Sequence, residues 1–143
     1  FKGINSRMDE LQAAILTLKL KFLDEENRTR NSIANYFLNH IQNNNLILPK
    51  NNNNESHVWH LFTVRTSKRD VFQNYLKKNG IETLIHYPIP PHLQLAYKEM
   101  GKKKGDYPIS EKIHKEVLSL PITPGISLLE VEVVIDALTA CLS

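Results

Sequence analysis

Apolar side chains recur at spacings of three and four over the first quarter of the chain. Met8, Leu11, Ile15, Leu18 and Phe22 fall on one helical face, and Ala13 and Ala14 add helix propensity. Asn5 or Ser6 can cap this helix, with Asp9 three residues after Ser6 in the manner of a capping box. The polar run from Asp24 to Asn31 interrupts the stripe, which resumes at Ile33, Tyr36, Phe37 and Ile41. Two helices meeting near Glu25 would explain the interruption. No Pro or Gly breaks the run, so one long, bent helix is the expectation.

Period-two alternation follows from Val58 to Val64. It sets Val58, His60, Phe62 and Val64 on one side and Trp59, Leu61, Thr63 and Arg65 on the other, as in a strand. Leu46 to Pro49, between the Asn-rich stretches 43–45 and 51–54, reads as a short strand flanked by loops. Ser67 is the expected cap of a helix carrying Val71, Phe72, Tyr75 and Leu76, with Gly80 just past its end. Residues 81–86 read as a second strand. Tyr87-Pro88-Ile89-Pro90-Pro91 is a stiff extended loop, since proline fixes φ and donates no hydrogen bond. A short helix around 93–98 and the loop 101–105 come next. A helix then opens at Asp106-Tyr107-Pro108 with Ile109, Ile113 and Val117 inward, and Leu118 to Pro121 reads as a short edge strand. Ser127 and Glu130 form a capping box for a last helix with Leu128, Val131, Val134, Ile135 and Leu138 on one side. The pattern as a whole predicts an α+β fold, helices packed on a small, mostly antiparallel sheet.

Composition narrows the class without naming a chemistry. The chain has 143 residues, 41% hydrophobic and 23% charged, with a net charge of +3. These are the proportions of a globular domain able to bury a core. No apolar run is long enough for a membrane span, so no membrane partner is expected. The small net charge, without aromatic residues interleaved among Lys102 to Lys104, argues against a nucleic-acid partner. The lone Cys141 supports neither a disulfide nor a thiolate metal site. The start at Phe1 rather than Met suggests a piece of a longer protein.

Two places carry candidate chemistry. Gly3-Ile4-Asn5-Ser6-Arg7 precedes a helix start, where free N–H groups, an Asn amide and a guanidinium suit a phosphate. An ordinary cap with a solvent-facing Arg explains the same residues. His86-Tyr87-Pro88-Ile89-Pro90-Pro91-His92 puts two imidazoles and a phenol on a stiff loop after a strand, a frequent place for ligand contacts, but equally a Pro-rich connector. No carboxylate or Cys in that loop completes a metal set, and no metal is expected. His57, His60, His40 and His114 read as structural or solvated. No G-x-S-x-G, Walker A, H-E-x-x-H or G-x-G-x-x-G motif occurs.

The residues Gly3-x-Asn5-x-Arg7-Met8-Asp9-Glu10-Leu11-Gln12-Ala13-Ala14-Ile15-Leu16, followed by Lys19-Leu20 and Leu23-Asp24, closely resemble the C-terminal part of the DegT/DnrJ/EryC1/StrS sugar aminotransferases. The resemblance continues through Arg30, Ile33, Ala34 and Tyr36, His57 to Phe62, Gly80 to Thr83, the loop 86–92 and Leu118 to Pro121. The loop sequence through Gln94 resembles the branch acting on nucleotide-linked 3-keto-6-deoxy sugars.

What the resemblance implies is specific. The fold would be the C-terminal small domain of a type I pyridoxal-phosphate transferase, with 1–44 a connecting helix and 45–143 the domain. The cofactor would be pyridoxal 5'-phosphate, and the substrates glutamate and a nucleotide-linked keto-sugar for polysaccharide or deoxyaminosugar synthesis. Asn5 would reach the cofactor phosphate of a neighbouring subunit, with Arg7 close by. His86, Tyr87 and His92 would contact the nucleotide-sugar. The Schiff-base lysine, the partner of the pyridine nitrogen and the ring-stacking residue would lie upstream, so no catalytic residue is assigned and the 143 residues alone would be inactive. A cytoplasmic homodimer or other homo-oligomer is implied, the stripe Met8, Leu11, Ile15 and Leu18 favouring association. A different class remains beside it: a truncated, stand-alone module that binds nucleotide-sugar or dimerises without catalysis.

Overall fold

The structure, a computed structural model, describes residue 3 and residues 5–50 and 57–141. Phe1, Ile4 and the Asn-rich stretch 51–54 therefore lie outside the described residues. Helix α1 spans Glu10–Leu20. Its cap is Asp9, not Asn5 or Ser6. The Asp9 carboxylate accepts from the Gln12 N–H at 2.7 Å while the Gln12 side chain accepts from the Asp9 N–H. Asp is among the favoured cap residues, and Gln12 completes the reciprocal box that Ser6 and Asp9 do not form.

One long helix does not form. The Phe22 N–H bonds back only three residues, to the Lys19 carbonyl at 3.0 Å, and a second helix, α2, begins at Leu23 and runs to His40. Asp24, Glu25 and Glu26 fill its first turn. Three carboxylates there are favourable at a helix N-terminus, so the polar run marks a new start rather than a solvated middle. In its second half Ile33, Ala34 and Phe37 are buried in the core.

Strand β1 is Phe62–Arg65 and β2 is Val117–Leu120, paired antiparallel with Phe62 opposite Leu120 and Arg65 opposite Val117. Single bridges extend the sheet on both sides. Ile47 exchanges two hydrogen bonds with Arg65 (2.8 and 2.9 Å), and Leu84 exchanges two with Ser119 (3.2 and 2.8 Å). The second expected strand, 81–86, is thus reduced to the Leu84 bridge. Leu118 to Leu120, expected at an edge, instead lie between β1 and Leu84. All four β2 residues are buried, which is why no alternation marks them.

The alternation from Val58 also shifts phase. Trp59 has φ +47°, and its ring is buried while Val58 and His60 are exposed. The left-handed backbone turns the chain before β1, so a single strand does not run from 58. Asn31 holds this turn with its side chain: Oδ1 accepts from the Trp59 indole N–H (3.1 Å) and Nδ2 donates to the His57 carbonyl (3.1 Å).

Helix α3, Arg69–Lys78, is capped at Lys68 rather than Ser67, and the Thr66 hydroxyl accepts from the Lys68 N–H at 3.1 Å. It ends as expected at Gly80, φ +76°. The Gly80 N–H bonds Lys77 O and the Ile81 N–H bonds Leu76 O, a Schellman closure. Two 3₁₀ segments, Pro91–Leu93 and Leu95–Met100, replace the expected short helix. Helix α4, Pro108–Glu116, starts at Pro108 but does not turn Ile109 and Ile113 inward. Ile109 is 76% exposed, and Val117 belongs to β2. Helix α5, Leu128–Ala140, has the expected Ser127/Glu130 box, with Val131, Val134, Ile135 and Leu138 buried but Leu128 exposed. It packs against α2 and α3, and α3 packs against β2. The result is the expected α+β arrangement, with helices on a small antiparallel sheet.

Candidate functional site

The Leu84–Ser119 bridge sets the start of the candidate loop. Two residues on, His86 lies half-buried with Nδ1 2.9 Å from the Ser119 hydroxyl. Tyr87 follows, 64% exposed, its ring edge-on to His86 with centroids 5.4 Å apart. The Tyr87 carbonyl accepts from His114 Nδ1 on α4 at 2.6 Å. Gln94 donates to the Ile89 carbonyl at 3.0 Å.

His92, at the far end, is turned inward. It is 9% exposed, its Nε2 lies 3.1 Å from a Glu111 carboxylate oxygen, and the Tyr107 ring packs against it edge-on at 4.9 Å. The same Glu111 oxygen accepts from the Gly105 N–H at 2.7 Å. That backbone donor, with His92 adding to it, holds the Glu111 carboxyl below the usual carboxylate range. Besides Gln94 at its own end, three side chains among the described residues fasten the loop from other elements, Ser119 from β2 and Glu111 and His114 from α4. The sequence reading missed all three. The signals were a lone hydroxyl in the apolar run Leu118 to Leu120 and the i,i+3 spacing of Glu111 and His114.

A cleft of ≈390 Å³ opens beside this fastening. His60, Glu82, His86 and Ser119 lie on its wall with Leu84 and the segment 120–123. Of the three loop residues singled out in the sequence, His86 faces this cleft, Tyr87 stands outside the packed core and His92 belongs to the support of the loop. Two histidines away from the loop have local partners. His57 accepts from the Trp59 N–H, and His40 stacks on Tyr36 at 4.0 Å.

Asn5 and Arg7 are both exposed on the segment leading into α1. The free donors expected there for a phosphate are partly used, because the Asp9 carboxylate already occupies the first turn of α1. A second anion at that place would meet a like charge. Pyridoxal 5'-phosphate therefore finds no complete cradle in Asn5, Arg7 and the α1 terminus. Among the described residues no group of three or more His, Cys, Asp or Glu side chains could hold a metal ion, and no helix is long and apolar enough to cross a membrane.

Solved structures that share this mixed helix and sheet fold include aminotransferases. The chain belongs to the DegT/DnrJ/EryC1/StrS aminotransferase family, which it matches over residues 1–139. It is 56% identical over 137 residues to the dTDP-3-amino-3,6-dideoxy-alpha-D-galactopyranose transaminase of Aneurinibacillus thermoaerophilus, covering 96% of this chain and 37% of that protein. Among solved structures it resembles S. venezuelae DesV in complex with a ketimine intermediate, with TM-score 0.88 and 41% identity over 97% of this chain and 38% of DesV. It also resembles NtdA of Bacillus subtilis with bound cofactor PMP, with TM-score 0.79 and 32% identity over 95% and 33% of the two chains. The chain thus spans about a third of the length of these proteins.

Proposed function

We propose that this chain is the C-terminal segment of a pyridoxal-phosphate aminotransferase that moves an amino group from glutamate to a nucleotide-linked keto-sugar. The observation that carries this reading is the fastened loop whose His86 borders a cleft, in a chain 56% identical to a dTDP-sugar transaminase. His86 and Tyr87 contact the nucleotide-sugar. His92 acts through the loop, since its ring is spent on Glu111 and Tyr107. Bound cofactor would supply the electron sink for amino transfer. Asn5 and Arg7 add an amide and a guanidinium to the edge of a phosphate site completed by another subunit. Their exposure and the Asp9 cap support a contribution to a shared site over a self-contained one.

Residues 1–44 serve as the connection and 45–143 as the small domain of a cytoplasmic homodimer. The 143 residues alone lack the lysine needed for amino transfer, which lies in preceding sequence. Mass spectrometry of glutamate with a dTDP-linked 3-keto-6-deoxy sugar tests both statements. The full-length protein is expected to form the amino sugar, and the 143-residue chain with added cofactor is not. Product from the short chain, or none from the full-length protein, overturns the reading.

A further inference from the structure

We propose that Ser119 is a positioning residue for the sugar-nucleotide contact: its hydroxyl holds Nδ1 of His86 and thereby presents Nε2 to the ligand in the cleft. The proposal rests on the reading of His86 as a nucleotide-sugar contact.

The register makes the contact specific. Ser119 is fixed by its own backbone, whose N–H and carbonyl both pair with Leu84. In a strand pair, residue i+2 from a paired position returns to the same face and lies within diagonal reach of the partner. His86 is two residues from Leu84, so the bridge delivers its ring to the Ser119 hydroxyl at 2.9 Å. Ser119 itself is 4% exposed, between β1 and the Leu84 segment. Its side chain is short and rigidly carried, which suits it to fix another group rather than to reach a ligand.

The consequence is a choice of ring edge and tautomer. With Nδ1 engaged by the hydroxyl, Nε2 is the ring nitrogen without a hydrogen-bond partner among the described residues. A serine hydroxyl can donate or accept, and among the described residues Nδ1 is the one acceptor in reach of the buried Ser119 proton; with the hydroxyl donating, Nε2 carries the ring proton and is a donor for sugar or phosphate oxygens. Among the described residues no other side chain near the loop holds His86. His114 holds the Tyr87 carbonyl and Glu111 holds His92, both backbone or support contacts. An apolar side chain at 119 would keep the sheet and lose the selection.

The test uses the full-length protein and the amino sugar dTDP-3-amino-3,6-dideoxy-α-D-galactopyranose as the probe, with binding read by calorimetry. Losing one oriented hydrogen bond weakens binding by about tenfold, so Ser119→Ala is expected to raise Kd by about that factor with the thermal midpoint held. Ser119→Thr keeps the hydroxyl and should stay within about threefold of wild type, well inside the worth of the bond. If Ser119→Ala fails to fold, Ser119→Cys keeps the volume, weakens the bond and is expected to give an intermediate loss. In a His86→Ala background Ser119→Ala should add nothing. Nitrogen-15 spectra of the His86 ring supply a ligand-free readout: one dominant neutral tautomer in wild type, a mixture in Ser119→Ala. An unchanged tautomer, or an undiminished Ser119→Ala effect without His86, overturns the proposal and leaves the reading of His86 intact. No binding by wild type, or none lost in His86→Ala, overturns that reading and the proposal with it.

Discussion

Helices α1 and α5 each open with a reciprocal capping box, Asp9 with Gln12 and Ser127 with Glu130, and both are rich in aliphatic residues. Their fates in this chain are opposite. α5 buries Val131, Val134, Ile135 and Leu138 against α2 and α3, while α1 has no buried residue and leaves Leu11 74% exposed. Equal local signals thus accompany unequal packing. Capping and propensity decide that a helix forms, and a partner surface decides whether it contributes to the core. The same contrast separates the two candidate sites. The loop 86–92 is fastened by this chain's own Ser119, Glu111 and His114, whereas Asn5 and Arg7 precede a helix that no described residue covers.

The sharpest way to break this comparison is to remove equivalent apolar mass from both regions. Phe37 is fully buried, its ring 5.0 Å from that of Phe62. Phe37→Ala is expected to cost about 3–5 kcal/mol in denaturant unfolding of the chain. Leu18→Ala, in exposed α1, is expected to stay within about 0.5 kcal/mol. A loss near 2 kcal/mol or more at Leu18 would mean that α1 is packed into the core after all. A finer version uses the two caps. Ser127→Ala should lower global stability by about 1 kcal/mol, the ordinary worth of a cap on a helix built into the core. Asp9→Ala should instead reduce helicity by circular dichroism and speed amide exchange in α1, with the global midpoint unmoved. Equal shifts of the midpoint in both variants would erase the distinction.

What the sequence made legible follows the same division. Local chemistry read well. The Ser127/Glu130 box, the Gly80 helix end and the proline loop all depend on neighbours within a few residues. Phase and partner read poorly. The Val58 to Val64 alternation gave no sign of the positive φ at Trp59, because that turn is set by Asn31, 28 residues away. β2 lies between β1 and Leu84 rather than at the expected edge, and a fully buried strand carries no alternation that would mark neighbours on both sides. At the candidate site, His86 and Tyr87 stood out by composition, but Ser119, Glu111 and His114 act through contacts across 19 to 33 residues. His92 resembles its neighbour His86 in sequence, and only the third dimension separates a ring facing a cleft from one turned onto the half-buried Glu111 carboxylate.

The smallest effect expected concerns how the loop is fastened rather than whether it is. The Gly105 N–H and His92 favour the ionised form of Glu111, so its carboxyl titrates below the ordinary value of 4.5. The sign follows directly. A depressed carboxyl contributes stability that is fully present above the ordinary value and is lost as pH falls through the lowered one. Acidification below about pH 4.5 should therefore loosen the contact of Glu111 with Gly105 and His92. Amide exchange at Gly105 reads this locally: its protection should fall on acidification after correction for intrinsic rates. Glu111→Gln keeps the shape and removes the charge that titrates, so its Gly105 protection should start lower and vary less over the same range. α1, with no contact to this anchor, should exchange alike in both proteins. A Glu111→Gln variant with the full wild-type acid response would show that another group fastens the loop.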